Sequence, residues 1–128
     1  MRPSLALIIA SLLSILLTTL HLADDVARGM ELAARATFIA VPVLAVWLYG
    51  TLVLTERRSG YVIMLLGSLL GLVIPFVHMK GAGVDTLARS SGGFLFIWTL
   101  MALALTALFS TALSIRGLWE HRHGPTHA

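Results

Sequence analysis

The chain contains no cysteine and few charged residues, and each scarcity excludes a class of protein. Without cysteine there can be no disulfide, no thiolate metal centre, no iron–sulfur cluster and no CxxC redox motif. Charged residues make up 12% of the 128 residues and hydrophobic residues 58%, whereas soluble domains average about 25% and 45–50%. Intrinsic disorder is also excluded, because it needs low hydrophobicity with high charge. The composition therefore predicts an integral membrane protein.

Charge is missing from four long stretches of the sequence. These uncharged runs are Pro3–Ala23, Ala36–Thr55, Ser59–Met79 and Ser90–Ile115. Each is long enough to cross about 30 Å of hydrocarbon as a helix, which satisfies its own backbone hydrogen bonds in lipid. None shows the alternation of a barrel strand. We predict a single all-α domain, an integral membrane four-helix bundle with short loops. Its helices are expected at about 4–23, 36–55, 60–79 and 93–116, with a cytoplasmic tail at 117–128.

The first apolar run raises the alternative of a signal peptide. Arg2 provides a basic start, but the apolar stretch Leu5–Leu20 is longer than a usual signal core, and no A-x-A-like cleavage site follows it. We therefore interpret this run as a retained membrane anchor.

Basic residues suggest how the bundle is oriented. Arg57 and Arg58 lie in the very short segment between the second and third runs, where the positive-inside rule is strongest. This predicts a multi-pass protein of the cytoplasmic (plasma) membrane with both termini in the cytoplasm. The net charge of +3 comes from scattered residues rather than a patch, so we expect contacts with anionic lipid and no nucleic-acid partner.

Small and polar residues line one face of three helices at a spacing of three or four. In the first helix these residues are Ser11, Ser14, Thr18, His21 and Asp25. In the third they are Gly60, Met64, Gly67, Gly71, Pro75 and His78. In the fourth they are Ala102, Thr106, Ser110 and Ser114. Such faces predict helix–helix contacts in lipid, and Gly67 and Gly71 form a GxxxG pair.

Four ionisable residues form the candidate binding site, namely His21, Asp24, Asp25 and His78. His21 and Asp25 are one helical turn apart. The first and third helices run in the same direction, so His78 should lie at the same depth as His21. Two imidazoles and a carboxylate suit zinc, copper, iron or nickel. Copper(I) would be favoured if Met30 or Met79 turned toward the site.

Two other interpretations of the histidines remain open. They could be interfacial residues with no ligand, since an amphipathic ring suits the membrane edge, with the aspartates pairing with Arg28. Alternatively, His21 and His78 could hold haem b between facing helices.

The sequence suggests three functions and decides between none of them. The absence of charge within the spans argues against a transporter and favours an accessory or interaction subunit, assembled with a membrane partner or as a homo-oligomer. A metal- or haem-binding protein is the alternative, and a lipid- or quinone-directed enzyme is the third. No G-x-S-x-G or HExxH motif is present, so no catalytic residue is assigned.

Overall fold

The protein is a bundle of four α-helices. The computed structural model describes residues 3–29, 31–79 and 91–122, with side chains from residues 5–29, 37–79 and 92–122. The helices are α1 (Pro3–Ala27), α2 (Glu31–Leu52), α3 (Arg58–Met79) and α4 (Ser91–Arg122), and the described residues contain no strand. The predicted fold class is therefore confirmed.

The first helix continues about one turn beyond its uncharged run. Asp24 and Arg28, four residues apart, form an ion pair with the Arg28 Nε 2.8 Å from Asp24 Oδ2, and such acid-first pairs stabilise a helix. Gly29 then adopts a φ of 76°, the left-handed conformation in which helices commonly end and which glycine tolerates best. This turn lets the chain reverse into α2.

A tight hairpin connects α2 to α3 through residues 53–57. Its turn is closed by a hydrogen bond from the Arg57 amide to the Leu54 carbonyl, at 2.9 Å. Gly60 in the first turn of α3 lies directly against that carbonyl, because a Cβ built at Gly60 would be 1.8 Å from the Leu54 oxygen. Only glycine allows α3 to approach the connecting segment this closely.

The fourth helix is longer than the sequence predicted. It runs to Arg122, so the segment expected to form a tail from residue 117 begins as helix. Arg116 and Glu120 form an i,i+4 ion pair, with 2.7 Å between Nε and Oε1. Residues 123–128 lie outside the described part of the chain.

Three of the helices are long and apolar enough to cross a membrane. They correspond to Leu5–Ala27, Arg58–Met79 and Gly92–Arg122, and α2 contributes a shorter apolar helix at Thr37–Leu52. Large side chains such as Phe38, Val73 and Trp98 are more than half exposed on the outside of the bundle. This apolar exterior is what a lipid-facing surface requires.

Helix α4 packs against both α1 and α3, and these two helices run parallel to each other. Leu7, Ile15, Trp47 and Met64 form the central apolar cluster. All five residues predicted on the α1 face are buried, as are five of the six predicted on α3. On α4 the prediction was partly wrong. Ser110 and Ser114 are buried, but Leu103 and Ala107 occupy the interior where Ala102 and Thr106 were expected, since the face drifts at a step of 3.6 rather than four residues.

A closed ring of hydrogen bonds joins α1 to α2 inside the bundle. The Trp47 indole N–H donates to Ser11 Oγ at 2.9 Å, and the Thr51 hydroxyl donates to the Trp47 carbonyl at 2.9 Å. Since the proton of Thr51 is used there, the 2.7 Å contact between Ser11 and Thr51 must be a bond donated by Ser11. Each polar atom of the ring is satisfied, as burial requires.

Candidate metal centre

The two candidate histidines and one of the aspartates meet at a single end of the bundle. We call this the histidine end; there α1 and α3 finish and α4 begins. His21 and Asp25 lie on consecutive turns of α1, and His78 lies in the last turn of α3. The imidazole centroids of His21 and His78 are 4.6 Å apart, with the rings nearly perpendicular at 84°. The parallel course of α1 and α3 produces this contact.

Both imidazoles converge on one oxygen of the same carboxylate. His78 Nε2 is 3.3 Å from Asp25 Oδ2, and His21 Nε2 is 3.5 Å from that oxygen. One ligand atom from each of the three residues lies within 4.8 Å of the other two. Together these side chains form a compact donor set of two nitrogens and one oxygen.

A backbone hydrogen bond orients the His78 ring and determines which of its nitrogens can act as a ligand. His78 Nδ1 is 2.9 Å from the Ile74 carbonyl oxygen, which can only accept, so Nδ1 carries the proton and donates. In the neutral ring Nε2 is then an unprotonated acceptor, and it faces the carboxylate oxygen of Asp25. Metal-bound histidines are oriented in this same way, with the second ring nitrogen donating to a carbonyl or carboxylate.

The centre is largely buried, and His21 and Asp25 retain polar atoms that form no hydrogen bond. The side chains of His21 and Asp25 are only 3% and 7% exposed. Neither ring nitrogen of His21 has a hydrogen-bond partner, and Asp25 Oδ1 has none either. Buried polar groups are almost always satisfied, and a buried charge needs a partner. These unpartnered atoms indicate that a proton or a cation belongs between them.

Phe96 of α4 forms the third side of the centre. Its ring centroid is 5.0 Å from that of His21 and 5.9 Å from that of His78. Arg28 covers Phe96 with its guanidinium carbon 5.4 Å from the ring centroid, and it donates a 2.9 Å hydrogen bond to the Gly92 carbonyl. Arg28 thus ties the end of α1 to the start of α4 beside the histidines.

Asp24, the remaining predicted ligand, does not join this group. Its carboxylate pairs with Arg28, and its side chain is 39% exposed. Met79 is exposed and does not supply the soft sulfur ligand that copper(I) would favour, and Met30 lies outside the described residues. The described centre therefore consists of His21, Asp25 and His78.

The sequence did not identify Phe96, which packs against both imidazoles, or the Ile74 carbonyl, which orients His78. Phe96 is one of several aromatic residues near the start of α4, and its neighbours Phe94 and Trp98 face outward, 68% and 64% exposed. A helical projection places Phe96 on the same face as the buried Leu100 and Leu103, which is the signal that could have identified it. A backbone carbonyl such as that of Ile74 leaves no signal in the sequence.

Comparisons of the chain with protein-family models, with curated proteins and with solved structures gave no match. The chemistry of the centre therefore carries the functional argument. Two imidazoles and a carboxylate can bind a transition metal ion or exchange a proton, and the geometry has to distinguish between these roles.

Proposed function

We propose that the protein binds a divalent transition metal ion, with zinc as the best fit, through His21, Asp25 and His78 at the histidine end. The observation that carries this proposal is the 3.3 Å approach of His78 Nε2 to Asp25 Oδ2 while the His78 Nδ1 proton is used by the Ile74 carbonyl. Two acceptor atoms facing each other in a buried place repel unless a cation lies between them. A proton would satisfy this one pair but would leave His21 Nε2 without a hydrogen-bond partner, whereas an ion bound to all three residues would engage it.

The separations between ligand atoms support tetrahedral coordination. Zinc lies about 2.0–2.1 Å from histidine nitrogen and about 2.0–2.2 Å from carboxylate oxygen, so neighbouring ligands on a tetrahedron are about 3.3–3.5 Å apart. The two nitrogen–oxygen separations are 3.3 and 3.5 Å. Octahedral neighbours with the same bond lengths would be only about 2.8–3.1 Å apart. Because all three ligand atoms lie within 4.8 Å, the two imidazoles need to approach each other by at most about 1.5 Å.

The same geometry favours an ion over haem b. A haem held by two histidines lies between their rings, with each nitrogen on the opposite face of the macrocycle. Here the ring centroids of His21 and His78 are 4.6 Å apart, and the rings are perpendicular. Both Nε2 atoms approach one carboxylate oxygen, which leaves no gap for a porphyrin.

Metal binding can be tested on the purified protein in a mild detergent after treatment with a chelator. Zinc titrated against a chromophoric chelator should bind at one ion per chain. Asp25→Asn and His78→Gln each remove one ligand and should weaken binding by more than about 100-fold, since loss of even an indirect partner costs 10–100-fold.

Two control variants remove the same kinds of side chain, a carboxylate and an imidazole, at positions outside the centre. Asp24→Asn removes the neighbouring carboxylate, which pairs with Arg28. His121→Gln removes a histidine at the opposite end of the bundle, where its ring bonds to the Glu56 carbonyl. Both should bind zinc as the parent does. Equal affinity in Asp25→Asn and Asp24→Asn would show that the described centre is not the binding site.

We further propose that the histidine end faces away from the cytoplasm of the plasma membrane. Support comes from the exposed residues Arg57, Arg58 and Arg116 at the other end, since basic residues near short connections remain inside. Because the chain has no cysteine, single cysteines at the exposed residues Ala27 and Glu56 can be labelled with an impermeant maleimide in intact cells. The first position should react and the second should not; the reverse pattern would invert the topology.

An accessory role is the second proposal, and the groove between α2 and α3 supports it. This apolar groove has a volume of about 370 Å³ and is lined by Val43, Val46, Ile63 and Leu66 among others. It would accept side chains from a partner's membrane helix. A photo-crosslinker at Val46 should capture one stoichiometric membrane protein or a second copy, whereas one at Val73, exposed outside the groove, should not. Equal labelling from both positions would refute this role.

A further inference from the structure

The part of the chain that the structure describes supplies the proposed metal centre with one ligand fewer than a tetrahedral ion requires. Within the described residues, the group of possible ligands comprises His21, Asp25 and His78. Structural zinc sites are closed by four protein ligands, whereas sites with three keep one position for water or a substrate. The missing ligand therefore determines what the centre can do.

One side of the centre opens toward the surface. The His78 side chain is 23% exposed, while those of His21 and Asp25 are 3% and 7% exposed. Phe96 packs against both imidazoles. A small molecule can therefore approach the ion past His78 without displacing a protein ligand.

Unused polar atoms lie on the buried face of α1 that carries His21 and Asp25. The hydroxyl of Thr18 is buried and has no hydrogen-bond partner, and Asp25 Oδ1 is also free. Thr18 precedes His21 by three residues on the buried face of α1, and the whole residue is only 6% exposed. By contrast, the hydroxyl of the adjacent Thr19 donates to the Ile15 carbonyl at 2.8 Å. Residues three apart are neighbours on a helix surface, so this unpartnered hydroxyl is in a position to hydrogen-bond a small molecule bound to the ion.

We infer that the fourth position takes an exchangeable small ligand, a water molecule that monovalent anions such as azide replace, and that the Thr18 hydroxyl hydrogen-bonds to it. This inference rests on the proposed metal binding. A divalent ion bound to two neutral imidazoles and one carboxylate keeps one positive charge, so a monovalent anion neutralises the centre. Charge balance therefore selects a monovalent anion.

Cobalt(II) provides the test, because it replaces zinc in tetrahedral sites and its visible absorption reports the ligands directly. The detergent-purified full chain is loaded with cobalt and titrated with sodium azide. We expect a saturable change in the visible bands at one azide per cobalt. Thr18→Val should weaken azide binding by roughly 5-fold, the equivalent of a hydrogen bond worth about 1 kcal/mol, while Thr19→Val should leave it unchanged.

The outcomes separate this inference from the metal proposal beneath it. Cobalt bands that appear but do not respond to azide would show a closed site, which overturns the exchangeable ligand and leaves metal binding intact. An absence of cobalt bands would overturn both. An azide response that is equal in Thr18→Val and Thr19→Val would refute the role of Thr18.

Discussion

Gly67 should be the most sensitive glycine in the middle of the bundle. A Cβ at this position would lie 2.3 Å from Trp47 Cδ2 and 2.4 Å from Trp47 Cε2, whereas carbon atoms in contact are about 3.5–4.0 Å apart. In Gly67→Ala the indole must therefore retreat by more than about 1 Å. The 2.9 Å bond from its N–H to Ser11 cannot survive that displacement.

The cost follows from these two effects. Overpacking a core usually costs about 1–3 kcal/mol, and the lost hydrogen bond adds about 1 kcal/mol, so Gly67→Ala should lose about 2–4 kcal/mol. Gly71→Ala is the matched control on the same face of α3. Its Cβ would lie 3.3 Å from Ala107 Cβ and 3.5 Å from Leu103 Cδ1, so a shift of a few tenths of an ångström accommodates it.

Unfolding in detergent micelles, followed by circular dichroism as dodecyl sulfate replaces the mild detergent, measures both variants. We expect Gly67→Ala to unfold at a clearly lower fraction of dodecyl sulfate than the parent and Gly71→Ala to unfold close to it. If Gly67→Ala were as stable as the parent, or if Gly71→Ala were the weaker of the two, Trp47 would not be packed as described.

Three further changes test other parts of the bundle. Thr51→Val leaves buried hydrogen-bonding groups without partners and should cost about 1–3 kcal/mol in the same unfolding assay, while Thr99→Val, which removes only a bond within its own helix, should cost less. Gly60→Ala would place a Cβ 1.8 Å from the Leu54 carbonyl; we expect poor yield of the folded monomer in size-exclusion chromatography, and a normal yield would contradict the described hairpin. Arg28→Gln removes the link between α1 and α4, so zinc transfer to excess chelator should accelerate in stopped-flow absorbance while the cobalt bands keep their positions; an unchanged rate would show that the link does not limit access.

Much of the architecture was predictable because the bilayer imposes few solutions. The uncharged runs gave the four helices, and the three- and four-residue spacing placed Ser11, Ser14 and Thr18 inside the bundle, where they are buried. The ends were less predictable. Hydropathy marks the apolar part of a helix, but Asp24 and Arg28 prolong α1 through an ion pair in a polar segment.

The ligand group was predictable in part, for a reason of topology. Two membrane helices separated by one intervening helix run parallel, so His21 and His78 were expected at the same end, and their rings are in contact there. Which of the two adjacent aspartates faces the histidines depends on the rotation of α1 about its own axis. That rotation directs Asp25 inward, while Asp24 pairs with Arg28. The pairing of Trp47 with Ser11 depends on the packing of α2 against α1, which no spacing within a single helix reveals.

The contact between His21 and His78 joins residues 57 positions apart, and this has a consequence for biogenesis. A nascent chain of which only the first two helices have been inserted into the membrane carries His21 and Asp25 but lacks the imidazole of His78. The pocket comes into existence only when the third helix enters the bilayer beside the first. Any ion that the centre holds must be acquired after that step. The bound ion would then link α1, which is synthesised early, to α3, which is synthesised later.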